Sequence, residues 1–290
     1  MAPTLTNALT VDVEDYFHVH AFARVVDPRD WENYPSRVEV NTCRLLEIFA
    51  QQGIRATFFV LGWVAKKFPK LVLKISTAGH RVGCHGFAHK VIYAGTPAEF
   101  RNDVRMGKSA VEDALGAPVQ SYRAPSYSVT EQTIWALDVL AEEGFDYDSS
   151  IFPVIHDNYG MPGAPRFPYL RSVKAGRFIK EFPPSTVRLF GFNCPVAGGG
   201  YFRLFPYRVT AWAVRRINEV EGQPALVYLH PWELDPDQPR IAAGWKSSFR
   251  HYNNLESTES KCRRLLKDFS WAPMEEVFPT VLEKETTRGN

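Results

Sequence analysis

The sequence predicts an α/β fold in which about seven parallel strands alternate with helices and curl into a closed or nearly closed barrel. Three observations lead there. Short runs rich in Val, Ile, Phe and Thr alternate with stretches of helical spacing, roughly ten to eighteen residues long, along most of the chain. No linker or compositional break divides the 290 residues, so one domain over 1–290 is expected. Residues able to do chemistry recur at the ends of successive apolar runs, where a barrel gathers strand ends on one rim.

Thr6–Val13 is apolar and ends in acids, which reads as a strand reaching a functional mouth. Asn41–Gln52 carries Leu45, Leu46, Ile48 and Phe49 at helical spacing and stops at Gly53. Arg55–Leu61 is the next strand. Val64–Ala78 follows as a helix interrupted at Pro69, and Arg81–Cys84 as a strand ending in HGFAH. Pro97–Leu115 is helical, with Pro97 at its start and Gly116 beyond its end. Val119–Tyr122 and Phe145–Asp148 are strands around a helix over Thr130–Glu143, which Gly144 closes. Residues 153–176 lack a regular pattern and form an excursion. Phe178–Phe182 and Ala225–Leu229 complete the strands, with a helix over Pro206–Val220 between them. Trp232–Tyr252 reads as a loop, Glu256–Phe269 as a helix and Glu283–Asn290 as a frayed tail.

Composition narrows the function. With 34 Lys+Arg against 32 Asp+Glu the net charge is +2, too small a footprint for duplex nucleic acid. The first residues have no basic segment followed by an apolar one, so no secretory signal is expected. No uncharged apolar stretch reaches bilayer length. The four cysteines are scattered without a CxxC pair, as suits reduced, buried thiols. Gly198–Tyr207 lacks the spacing of a phosphate loop, and a structural turn is the simpler reading.

The strongest local signal is His85-Gly86-Phe87-Ala88-His89, two imidazoles four residues apart that can converge on one centre. Gly86 stands where a zincin would need its glutamate base, which removes that reading. The acid for such a centre must come from elsewhere, and the first strand ends in Asp12, Glu14 and Asp15. Two-residue periodicity puts Asp12 and Glu14 on one face, while Asp15 joins them only if the strand has turned. On a shared rim these acids meet His85, His89, Arg123, Asp146 or Asp148, and His230.

This set resembles the polysaccharide deacetylase family, carbohydrate esterases with a NodB homology domain that remove N-acetyl groups. Residues from about 231 to 282 resemble the C-terminal extension of a subgroup associated with bacterial exopolysaccharide and exosortase (PEP-CTERM) gene clusters. The resemblance runs from about residue 6 to 280 and implies a distorted (β/α)7-type, TIM-like barrel. It rests on the first-strand acids, the HxxxH pair, Arg123-Ala124-Pro125-Ser126, an aspartate at 146 or 148, and the final-strand His230.

The resemblance implies the following roles. His85, His89 and a first-strand carboxylate hold a divalent metal, Zn²⁺ first, with Co²⁺, Ni²⁺ or Mn²⁺ as other candidates. Facing direction favours Glu14 as that carboxylate, and residue type favours Asp15. Asp12 is the general base and Arg123 holds it in place. The backbone N–H of Ser126 helps stabilise the oxyanion, and His230 protonates the departing amine under the influence of Asp146 or Asp148. Tyr127 and Trp232 are expected to touch the sugar, with Trp245 and Tyr159 in nearby loops. The implied partner is an N-acetylated glycan or lipid-linked oligosaccharide; the absent signal segment leads to an expectation of the cytoplasm, at the inner membrane face, with export left open. The sequence departs from the family pattern at Asp12-Val13-Glu14-Asp15, where an adjacent Asp-Asp is usual, at Ser126 in place of tyrosine, and at Tyr228 in place of leucine. Two other readings stay open: a hydrolase of the same superfamily acting on a small amide, marked by a closed pocket, and a glycan-binding module that turns nothing over.

Overall fold

In the computed structural model, which describes residues 5–157 and 159–277, the chain begins with β1 (Thr6–Val13) and α1 (Val38–Gln51). It continues with β2 (Thr57–Val60), α2 (Gly62–Lys67), α3 (Pro69–Thr77), β3 (Arg81–Cys84) and α4 (Pro97–Leu115). Next come β4 (Ser121–Tyr122), α5 (Ala136–Glu142), β5 (Tyr147–Asp148), β6 (Tyr169–Ser172) and β7 (Phe178–Glu181). The last part holds β8 (Thr186–Leu189), β9 (Phe192–Pro195), α6 (Gly199–Leu204), α7 (Tyr207–Arg215), β10 (Leu226–Leu229), α8 (Trp245–Tyr252), α9 (Leu255–Asp268) and β11 (Ser270–Ala272).

β1 is buried along all but its first residue, as a central parallel strand covered on both faces must be. The curled sheet runs β10-β1-β2-β3-β4-β5-β7-β6, with β11 also pairing to β1. Its pairs are parallel except β6 with β7, so the 153–176 excursion contains an antiparallel edge strand that its irregular pattern had hidden. β10 and β7 do not pair. The segment after β7 fills that opening instead: Leu226 N–H donates to Ser185 Oγ at 2.7 Å and Tyr228 N–H to Ala197 O at 2.8 Å. Gly198 makes this approach possible, because a Cβ there would lie 1.9 Å from the Tyr228 carbonyl oxygen. The Gly198–Tyr207 stretch is thus a structural turn that leads into α6.

Local signals explain the best-defined elements. Thr96 and Glu99 form a reciprocal capping box at the start of α4, Pro97 sits in its first turn, and Gly116 ends it at φ +72°. Pro69 separates α2 from α3. α1 starts three residues earlier than its apolar spacing indicates, because a remote carboxylate caps it: Asp15 accepts from the N–H groups of Arg37 and Val38. The expected 232–252 loop contains α8, and the β8–β9 hairpin was not visible in the sequence pattern.

The two ends of the chain share one sheet. After β11 the chain passes under the barrel floor, where Met274 packs with Ala8, Phe59, Phe182 and Leu226. Glu275 accepts hydrogen bonds there from Thr57 and Ser121. The opposite rim, at the carboxyl ends of the strands, is left for chemistry. The expected tail over Glu283–Asn290 lies outside the described residues.

Candidate active site

The rim gathers Asp12 and Glu14 from the end of β1, His85 and His89 from β3 and its following turn, Arg123 after β4, and His230 after β10. The backbone turns immediately after β1, with Glu14 N–H donating to Asp12 O at 3.1 Å, yet the two side chains still face the same centre. Glu14 Oε2 lies 2.8 Å from His89 Nε2, and one ligand atom from each of Glu14, His85 and His89 falls within 4.8 Å of the others. Two imidazoles and a carboxylate form a donor set suited to zinc or another borderline divalent cation. His85 Nδ1 lies 2.8 Å from the carbonyl oxygen of Arg123, so its N–H is committed there and the Nε2 lone pair is free for a metal. Burial lowers the His85 pKa to about 4, which keeps the ring neutral and able to ligate. Burial raises Glu14, but the charge and hydrogen bond of His89 outweigh it, with His230 and His85 adding, and hold the carboxyl far below its usual range.

The HGFAH segment is a turn, and α4 shapes it. Asp103 accepts from the N–H groups of Phe87 at 2.9 Å and Ala88 at 3.1 Å, fixing the backbone between the histidines. Gly86, at φ +74°, and Gly107 on α4 meet without side chains, since a Cβ on Gly107 would sit 2.6 Å from the Gly86 carbonyl carbon. His89 itself takes φ +49°, and Ser126 and Tyr127 take +53° and +52°. Left-handed backbone at non-glycine residues costs roughly 1–3 kcal/mol each, and here three cases line one site.

Asp15 does not join the Glu14, His85 and His89 cluster. Its carboxylate points away from the histidines and accepts from Ser36 Oγ at 2.5 Å as well as from the start of α1, where helix N-terminal N–H groups favour an anion. Asp12, by contrast, meets Arg123 Nη1 through Oδ1 at 2.8 Å and His230 Nε2 through Oδ2 at 3.8 Å. Arg123 is fully buried. Thr10 Oγ1 and the Oγ and backbone carbonyl of Ser149 take three more of its N–H groups, and its guanidinium lies over the Phe59 ring.

The acid beside His230 is neither Asp146 nor Asp148. Asp146 is exposed at the start of β5, its backbone pairing with Gln120 and Lys180. Asp148 is buried behind Arg123 and faces Glu181 and Ser150, whose hydroxyl donates to it at 2.5 Å. The residue that meets His230 is Glu233, one turn later on the same segment, with Oε2 3.3 Å from Nδ1 in an ion-pair contact bent away from a straight hydrogen bond. Burial opposes the charged ring, but Glu233, followed by Glu14 and Asp12, raises the His230 pKa to about 9. The sequence signal was the His-x-x-Glu spacing on a one-turn helix, an i,i+3 pair.

Aromatic residues are placed differently from expectation. Trp232 is 4% exposed, sandwiched between His230 and His251, and its Nε1 is 3.4 Å from Glu14 Oε1, so it is a wall of the site and not an open platform. Tyr127 is likewise buried, against Phe152 and Tyr228. Ser126 is partly exposed in the strained turn after Arg123. Tyr159 stacks on Phe152 and His156, whereas Trp245 on α8 is 76% exposed.

Comparison with known proteins supplies the family context. Residues 31–146 match the family described as polysaccharide deacetylase, and residues 149–279 match a domain of unknown function (DUF3473). The two matches meet on either side of β5, within one sheet. A peptidoglycan-N-acetylglucosamine deacetylase of Bacillus cereus is 25% identical over 135 residues, 42% of this chain and 48% of that protein. A chitooligosaccharide deacetylase of Bradyrhizobium is 29% identical over 150 residues, 50% of this chain and 66% of that protein. The matched part thus spans about half to two thirds of these relatives. In fold, the chain is similar to a candidate polysaccharide deacetylase from Mycobacterium smegmatis, with a TM-score of 0.65 at 21% identity, covering 97% of this chain and 91% of the other.

Proposed function

Because this chain carries a polysaccharide deacetylase domain of the NodB type, we propose that it hydrolyses N-acetyl groups on N-acetylhexosamine units of a glycan. In this reading Glu14, His85 and His89 hold a divalent cation, zinc first. The observation that supports it is the convergence of two separately built halves on one rim. One half is the Glu14, His85 and His89 donor set, and the other is Asp12 with His230. A divalent ion bound there polarises the acetyl carbonyl and acidifies water.

The protein's own groups do the rest. Asp12 takes a proton from the attacking water through the oxygen that Arg123 does not engage, and Arg123 keeps that carboxylate aimed. The turn at Ser126 presents backbone N–H to the carbonyl oxygen as charge builds on it. His230 then gives its Nε2 proton to the sugar nitrogen as the C–N bond breaks, leaving acetate and a free amine. A ring whose pKa is pushed up to about 9 carries that proton at neutral pH.

Peptidoglycan and chitooligosaccharides are the substrates named for the relatives, and N-acetylhexosamine is the unit these share. Because residues from about 231 to 282 resemble the exopolysaccharide-associated subgroup, we propose an exopolysaccharide or a lipid-linked precursor as the natural polymer, met at the cytoplasmic face of the inner membrane. The test is release of acetate and free amine from N-acetylchitooligosaccharides and peptidoglycan fragments, with added zinc and after chelation. Equimolar acetate and amine, lost on chelation, is the expected result. No release after supplying zinc, cobalt, nickel or manganese overturns the reading.

A further inference from the structure

We propose that the region matched only as a domain of unknown function completes the active site through a buried Glu233–Arg203 pair that fixes the ring of His230. The inference rests on the deacetylase reading and assigns positioning residues that the family match over 31–146 does not contain.

Glu233 is fully buried, and its two oxygens have distinct tasks. Oε2 accepts from the backbone N–H of His230 at 2.9 Å and lies 3.3 Å from the ring Nδ1, so one atom grips both the backbone and the side chain of that residue. Oε1 accepts from Arg203 Nε at 2.8 Å. Arg203, at the end of α6, is itself buried and carries its remaining N–H groups to the carbonyls at the end of α8: Arg250 at 3.0 Å, His251 at 2.5 Å and Asn253 at 3.3 Å. Its guanidinium also lies over the Trp232 indole, 5.0 Å from the ring centre.

The indole continues the chain of contacts. Trp232 stacks on His251 at 4.1 Å and on His230 at 5.1 Å, with interplanar angles of 17° and 24°. His230 is therefore held on one face by Trp232 and on its Nδ1 edge by Glu233, which leaves Nε2 directed at Asp12 and Glu14. With the Nδ1 edge turned to this carboxylate, Nε2 is the ring nitrogen that faces Asp12 and the substrate side. If Glu233 served only to neutralise Arg203, neither of its oxygens would need to meet residue 230, and Arg203 already finds three carbonyls. Isolated buried charges are too costly to persist, so α6, the 230–234 turn and α8 are tied into one assembly around the ring.

The experiment uses the full chain with zinc added and labelled with ¹⁵N, reading the His230 ring nitrogens by long-range ¹H–¹⁵N correlation alongside turnover of an N-acetylchitooligosaccharide. The wild type is expected to carry a proton on Nδ1. Glu233→Gln, which keeps shape and removes charge, is expected to shift the ring toward the Nε2–H tautomer. It is also expected to lower kcat roughly 10- to 100-fold with KM little changed. Arg203→Lys, retaining charge but losing the fork, is expected to fall between the two. Wild-type ring signals and kcat in folded Glu233→Gln overturn the proposal; should that variant not fold, the same result in Arg203→Lys does so. Wild-type protein that releases no acetate overturns the deacetylase reading instead, and the ring signals still decide the role of Glu233.

Discussion

Asp12 and Arg123 meet at 2.8 Å where neither side chain is reached appreciably by water, and Arg123 spends its other donors on Thr10 and Ser149. The pair is a rigid bracket, since a planar guanidinium with several fixed acceptors has one orientation.

Arg123→Met leaves the Asp12 carboxylate buried without its counter-charge. The expected loss is about 3–5 kcal/mol of stability, with turnover falling at least 100-fold. Arg123→Lys keeps the charge but not the fork, and is expected to recover stability more than kcat. Denaturant unfolding and steady-state kinetics on the same preparations check both.

Metal content separates the three first-strand acids. Glu14→Gln and His89→Ala are expected to lose bound zinc, measured by inductively coupled plasma mass spectrometry. Asp12→Asn is expected to keep it and lose turnover. Asp15→Asn is expected to keep it as well, and to destabilise the fold by about 1–2 kcal/mol through the start of α1. Zinc lost on Asp15→Asn alone, with Glu14→Gln unaffected, would reverse the assignment.

Gly107→Ala should help a helix interior by about 0.5–1 kcal/mol on propensity alone. Here the new methyl meets the Gly86 carbonyl carbon at 2.6 Å, so the HGFAH turn must move. The expected outcome is lower stability together with weaker zinc affinity, read by competition with a chromogenic chelator. A stabilised variant with unchanged affinity contradicts this account of the turn.

Glu181 and Asp148 face one another in the protein interior behind Arg123, with Tyr169 also near and the Ile151 N–H donating to Glu181 Oε1 at 3.0 Å. Burial first, and Asp148 second, push the Glu181 pKa well above its usual 4.5, so the fold holds a proton that the unfolded chain releases. Stability from this group is therefore full below about pH 4.5 and declines as pH rises toward the folded value, by up to about 1.4 kcal/mol per unit. Glu181→Gln removes that slope. Its stability relative to wild type is expected to increase from pH 5 to pH 8 in urea unfolding, and a pH-independent difference rules the shared proton out.

Much of the fold was legible because its signals are local. Pro97 with the Thr96 and Glu99 box starts α4 and Gly116 ends it, each within a few residues of the boundary it sets, and β1 shows itself by its Ala, Leu and Val content. The antiparallel β6, the β8–β9 hairpin and α8 were not legible, since their stabilising partners lie outside their own segments. α8 is held by Arg203, 47 residues upstream of Arg250. The site divided in the same way. Strand-end position brought Asp12, Glu14, His85, His89, Arg123 and His230 onto one rim, but Asp15, Asp146 and Asp148 satisfied the same rule and their side chains do other work.

The sequence by itself determined which residue types reach the rim, because alternation along strands and the capping chemistry of helices are set within a turn or two of chain. Only the tertiary structure decided among neighbouring acids, because a carboxylate goes to whatever donors stand nearest in space. For Asp15 these are the N–H groups of α1, for Asp148 they are the Ser150 hydroxyl and the facing Glu181 carboxyl, and for Glu233 they are His230 and Arg203. The partners that set these acids apart, Arg37 and Val38 for Asp15, Glu181 for Asp148 and Arg203 for Glu233, come from segments distant in sequence, so spacing along the chain alone does not rank one acid above another.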